Sequence, residues 1–273
     1  MLLRPRLPRA RTVRRALPLT LAAATLAATT GCASIDGLAA TTPHSPGAAL
    51  SAGPTAPPPG SRPERISPLR DTHGLHPGLT PVPAAERGKA RKLIGTVTAG
   101  TRGSKAGYDR ERDFGTPWTD DVHITWGHDG CRTREQVLHR DMKGIDFRAG
   151  TGDCVVLVGI LQEPYTGRTI EFSKSRPMEV QVDHVMPLAY DWGQGARTWT
   201  QAKREQLAND PLNLLAVDGP ANQRKSDSGP SEWMPGNTKV RCAYAVRFAM
   251  VSLKYALPVT SADKRTMLNA CGA

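Results

Sequence analysis

The pattern of apolar and polar positions divides the chain into three stretches. Leu17 to Ala28 is a continuous apolar run rich in Leu and Ala, too short to span a bilayer and followed by small residues. From Ala33 to about Pro83 large apolar residues are sparse, and the run Pro54-Thr55-Ala56-Pro57-Pro58-Pro59-Gly60 sustains neither helix nor sheet. Periodic patterning begins near Ala84. The expectation is a leader over 1–31, a flexible tether over 32–83 that includes His44, His73 and His76, and one folded domain over 84–273.

Within that domain, Ala85 to Ile94 reads as a short helix, and Trp118 to Trp126 is mixed. Thr133-x-x-Gln136 has the form of a capping box opening a helix to about Met142. Cys154 to Leu161 reads as a buried strand. Glu163 to Gly167 is a turn, and Arg168 to Phe172 is the returning strand of a hairpin. Asn237 is placed to cap a long helix ending before Pro258. Its core face is Val240, Ala243, Tyr244, Phe248, Val251 and Tyr255, with Lys239, Arg247 and Lys254 off that stripe. A last helix covers Ser261 to Asn269.

Residues 178–235 carry a different signal. Met178 to Val182 alternates as a half-buried strand and delivers Asp183-His184 at its end, where Pro187 closes it. A polar insertion with Trp192 and Trp199 follows, helical from Thr200 to Asn209. Leu212 to Val217 is a second strand. Asp218-Gly219-Pro220 then leads into a helix starting at Ala221-Asn222-Gln223-Arg224-Lys225. The order is strand, strand, helix.

Charge and cysteine content narrow the setting. The formal net charge is +11, and removing the six arginines of the leader leaves +5. That bias permits an anionic partner without establishing one. The leader, with its basic start and apolar middle, predicts export. Of the five cysteines, Cys32 follows Thr29-Thr30-Gly31 in a run resembling a lipoprotein cleavage site. Lipidation at Cys32, with anchoring to the outer face of the membrane, and free secretion both remain open. Either way Cys131, Cys154, Cys242 and Cys271 are left for two bridges in an oxidising compartment. Proximity and helix order favour Cys131–Cys154 and Cys242–Cys271, with crossed pairing as the alternative. No CxxC pair suggests a zinc knuckle, and His123, His128 and Cys131 match no zinc module.

Asp183-His184-Val185-Met186-Pro187, then Asn213-Leu214, then Asn222-Gln223-Arg224-Lys225 resemble, in order, the motifs of HNH endonucleases, whose core is the ββα-metal finger. Further phrases resemble a group of secreted bacterial HNH proteins: Thr133-Arg134 to Arg140-Asp141, Pro164-Tyr165-Thr166-Gly167, Lys225-Ser226-Asp227, and Glu232-Trp233 before Pro235. The resemblance spans roughly residues 90–271. It implies an α+β fold built on a ββα-metal finger, with extra helices and a disulfide-stapled β-hairpin region. It implies His184 as general base, Asn213 as the residue orienting it, and Asp183 and Asn222 as metal ligands. It also implies Arg224 and Lys225 as phosphate contacts. The third motif position is Asn222 where many relatives carry His, which suits a hard, oxygen-preferring ion such as Mg²⁺.

Phosphodiester hydrolysis needs an activated water, charge neutralisation on the phosphate and help for the leaving oxygen. A neutral imidazole takes a proton from water near neutral pH. Taken singly, each motif residue is more often structural than catalytic, and their register together favours chemistry. Trp192, Trp199 and Trp233 read as packing residues. The expected activity is metal-dependent cleavage of DNA, with RNA left open as a further substrate, and little sequence preference, since no sequence-reading module is visible. The rival is a non-catalytic surface or DNA-binding protein that keeps the fold. A hydrolase of another polymer has no GxSxG motif to support it.

Overall fold

The computed structural model describes residues 66–272. The leader, Cys32 with its lipidation, and the tether as far as residue 65 lie outside these described residues. The amino-terminal part contains α1 (Arg87–Gly95), β1 (Ala99–Gly100), α2 (Arg110–Phe114) and α3 (Thr133–Asp141). The strands β2 (Met142–Phe147), β3 (Val156–Gln162), β4 (Thr169–Ser173) and β5 (Val180–His184) follow. Then come α4 (Leu188–Gly193), α5 (Gln201–Asn209), β6 (Leu214–Asp218) and α6 (Gly219–Lys225). The chain closes with α7 (Arg241–Tyr255), β7 (Val259–Thr260) and α8 (Ser261–Ala270). Helices and strands mix as in an α+β fold.

β2, β3 and β4 form an antiparallel sheet, β5 pairs antiparallel with β6, and β1 pairs parallel with β7. All five residues of β6 are buried. Successive side chains on a strand point to opposite faces, so a strand with both faces covered is apolar except where a polar group finds partners, as Asp218 at the end of β6 does with Arg168 and the Ala221 N–H. Leu214 and Ala216 enter one apolar cluster with Val180, Val182, Val137 and Phe172, under α3 and the three-stranded sheet. Leu215 and Val217 enter the other, around Tyr244, Phe248 and Val251 of α7. β6 is therefore clamped between two cores and holds β5 beside it.

Disulfides Cys131–Cys154 and Cys242–Cys271 are formed, tying the start of α3 to the start of β3 and α7 to the end of α8. Several expectations are corrected by the packing. The folded chain begins upstream of Ala84: Leu79 and Val82 are buried in the α7 core, and Asp71 forms a buried ion pair with Arg247. Gly74 adopts φ +68 with its Cα against Leu212, where a Cβ would meet backbone at 2.4 Å. Arg247 accordingly lies on the buried side of α7 rather than off its stripe.

The capping box does not form. Thr133 is already the first helical residue, and its hydroxyl donates to the Thr119 carbonyl while the Gln136 amide donates to Trp126. β3 is buried mainly on one face, with Val158 and Ile160 exposed at 37% and 43%, because among the described residues no layer covers the far side of the sheet. Asn237 caps the short 3-10 turn Thr238–Val240 that leads into α7 instead of α7 itself.

Candidate active site

β5 ends at His184, opposite Leu214 of β6. Strand alternation sends Asp183 and His184 to different sides. His184 stacks on Trp118, with ring centroids 5.3 Å apart and planes within 11°. Its Nε2 lies 2.9 Å from the Ala208 carbonyl. That oxygen belongs to the last turn of α5, whose carbonyls have no partner within the helix. A carbonyl can only accept, so Nε2 carries the hydrogen and Nδ1 keeps the free lone pair. Nδ1 has no hydrogen-bond partner among the described residues. Burial, then the charge of Arg110, push the imidazole down to about 3, and it is therefore neutral near neutral pH.

Asp183 is buried on the other side. Its Oδ2 accepts from the Tyr165 hydroxyl at 2.5 Å and its Oδ1 from Lys225 Nζ at 2.9 Å. Burial holds the carboxyl above its ordinary value, against the opposing pull of Lys225 and Tyr165. Tyr165 reaches it from the hairpin turn, where the Glu163 carboxylate accepts from the backbone N–H groups of Tyr165 and Thr166 at 2.6 Å.

Asn213 lies immediately before β6 and is fully buried. Its side chain accepts from Met186 N–H at 2.8 Å and donates to Met186 C=O at 3.1 Å, while its own carbonyl accepts from Val185 N–H. The segment just after His184 is thus bound three times to one residue. α6 starts on Asp218, whose side chain accepts from Ala221 N–H, and Gly219 lets the helix start approach the Met178 carbonyl. One turn in, Asn222 donates through Nδ2 to Gln181 at 2.9 Å, which leaves its Oδ1 without a partner among the described residues.

A cavity of about 420 Å³ joins these groups; its wall includes Asp183, His184 and Asn222 together with Tyr108, Arg110 and Trp118. Arg224 is exposed on α6. Lys225 is not a surface residue: its side chain is fully buried, and Nζ donates to Asp183 and, at 2.7 Å, to the His184 carbonyl. This corrects the expectation that it contacts phosphate. Its role in the structure is to hold the Asp183-His184 corner from below.

Tyr108, Arg110 and Trp118 were not legible as site residues. They come from a stretch without apolar periodicity, and only the tertiary fold brings them to the end of β5. Trp192, Trp199 and Trp233 pack against the main core. His123 and His128 sit with ring centroids 4.8 Å apart. Among the described residues no group of three or more His, Cys, Asp or Glu side chains is arranged to hold a metal. Asp183 and Asn222 nevertheless suit an oxygen-liganded ion that keeps most of its waters. A carboxylate offers about four lone-pair sites, of which Tyr165 and Lys225 use two, and the Asn222 oxygen is free.

A buried imidazole with a free ring nitrogen and two oxygen-bearing side chains thus share one cavity wall. Residues 132–270 match the family described as GmrSD restriction endonucleases, C-terminal domain. An uncharacterized secreted protein of Arthroderma benhamiae is 34% identical over 200 residues, covering 71% of this chain and 91% of that protein. No solved structure matches the chain. The chain belongs to the GmrSD C-terminal domain family.

Proposed function

We propose that the protein is an exported, metal-dependent endonuclease of the HNH type that hydrolyses phosphodiester bonds of DNA, and of RNA as a second substrate, with little sequence preference. The observation that carries this reading is His184. Its Nε2 is spent on a backbone carbonyl and its Nδ1 is free among the described residues, and it lines the same cavity as Asp183 and Asn222. Membership in a family described by its restriction endonucleases supports the choice of substrate.

In this reading β5, β6 and α6 are the ββα-metal finger. His184 Nδ1 takes the proton from the attacking water. The Ala208 carbonyl fixes the tautomer and holds the ring in place, and Asn213 orients the base by fixing the chain immediately after it. Lys225 and Tyr165 hold the Asp183 carboxylate in position. A divalent ion such as Mg²⁺, held by Asp183 and Asn222, would supply charge neutralisation at the phosphate and help for the leaving oxygen. Arg224, exposed on α6, contributes a backbone-phosphate contact without reading sequence. Two disulfides fit an oxidising, extracytoplasmic setting, and the relative described as secreted supports export.

Plasmid degradation by the purified protein tests the reading. Cleavage of supercoiled DNA with Mg²⁺, abolished by EDTA, is expected. No cleavage of DNA or RNA with any divalent ion would contradict it.

A further inference from the structure

Arginine side chains in this fold are spent on the chain. Among the described residues, the half-buried or buried guanidinium groups of Arg91, Arg134, Arg140, Arg204, Arg241 and Arg247 each donate to an oxygen of the protein. Arg110 does not. It is half-buried in the cavity wall beside His184, and it has neither a carboxylate nor a carbonyl partner among the described residues. Its one directed contact is with the ring of Trp118, 5.4 Å from the guanidinium carbon to the ring centroid.

Three further features show that this placement is built. Asp109 caps α2 by accepting from Arg112 N–H at 2.9 Å, and Asp113 accepts from Asp109 N–H at 2.7 Å, so the backbone under Arg110 is fixed at both sides. Trp118 adopts a left-handed backbone, φ +60, which is costly for a bulky residue and persists only where its surroundings demand it. The same ring stacks on His184, so cation, indole and imidazole are linked by successive ring contacts. Desolvating a cation without a paired counter-charge is unfavourable, and both carboxylates of the cavity wall are paired elsewhere, Asp183 with Lys225 and Asp227 with Lys105, while Glu111 acts on Arg110 without forming an ion pair with it. An anion from outside the chain would complete the arrangement.

We propose that Arg110 holds the phosphodiester of a bound nucleic acid in the cavity beside His184, with Trp118 fixing the geometry between the two. A planar guanidinium can donate two parallel hydrogen bonds to phosphate oxygens, which a lysine cannot. This rests on the nuclease reading for the identity of the anion, and its test separates the two.

Binding is measured in EDTA, where no cleavage is needed, by anisotropy of a fluorescein-labelled 12-mer, as DNA and as RNA, across a salt series. Arg110→Met is expected to weaken binding about 10-fold and to lower the slope of log affinity against log salt by about one. Arg110→Lys should keep the salt slope and lose part of the affinity. In a cleavage assay Arg110→Met should lose about 10²- to 10³-fold in kcat/KM, with partial rescue by added guanidinium ion and an unchanged melting temperature. A folded Arg110→Met protein with wild-type affinity and salt slope would overturn the proposal. A wild-type protein that binds the 12-mer with this dependence on Arg110 and never cleaves it would overturn the nuclease reading and leave the proposal standing.

Discussion

Asp141 and Asp183 are both buried carboxylates beside β6, and each is paired with a cation of its own. Around Asp141 every valence is used within the chain. Arg140 donates to it twice at 2.7 Å and also to the carbonyls of Gly74, Pro211 and Leu214. Asp141 accepts in addition from the backbone of Gly78 and Ala216. That cluster ties the amino-terminal segment, the approach to β6 and β6 itself together. Around Asp183 the polar groups stop short of completion: His184 Nδ1, Asn222 Oδ1 and the Arg110 guanidinium have no hydrogen-bond partners among the described residues. A saturated network specifies structure, whereas an unsaturated one beside a cavity leaves capacity for a ligand.

The largest expected effect falls on the saturated cluster. Asp141→Ala leaves Arg140 charged, buried and unpaired, and should cost about 3–5 kcal/mol in urea unfolding. Its remaining folded fraction should cleave at the wild-type rate. Loss of cleavage with little loss of stability would reverse the roles assigned to the two clusters.

Asn222→Ala addresses the unsaturated side more cleanly than a change at Asp183, because Asn222 is half-buried and removes no charge from under Lys225. The metal concentration giving half-maximal cleavage should rise on the order of 10-fold or more. An unchanged metal titration would remove Asn222 from the ligand set.

A smaller effect is expected at Asp191 on α4, which is buried with neither oxygen hydrogen-bonded among the described residues. Burial holds its carboxyl well above the ordinary carboxylate value, with Lys225 opposing. The folded protein keeps this proton after the unfolded chain has released it, so the contribution of Asp191 to stability declines as pH rises beyond about 4. Asp191→Asn should therefore be more stable than wild type at pH 8, with the advantage shrinking as pH falls toward 4. An advantage that is independent of pH would show that Asp191 is ionised in the folded state.

The frame of the site was legible in the sequence because it is local. The alternation of Met178 to Val182 and the apolar run to Val217 announced β5 and β6, and Asn222 and Lys225 fell in the helix that follows. The stripe of α7 was legible for the same reason. What escaped detection depends on distant partners. Asp71 and Arg247 lie 176 positions apart, so neither the folding of residues 66–83 nor the burial of Arg247 leaves a local periodic trace. A lysine in the last turn of an exposed-looking helix reads as a surface cation until its partner, 42 positions earlier, is known. Arg110 and Trp118 sit in a stretch of mixed pattern, and only the fold makes them neighbours of His184.

The central claim is that the free Nδ1 of His184 is the base of a nuclease. It is tested most directly by the cleavage rate of His184→Ala on plasmid DNA at saturating Mg²⁺, with melting temperature measured alongside. A loss of at least about 10²-fold is expected in a protein that melts as the wild type does. A folded His184→Ala protein that cleaves at the wild-type rate would contradict it.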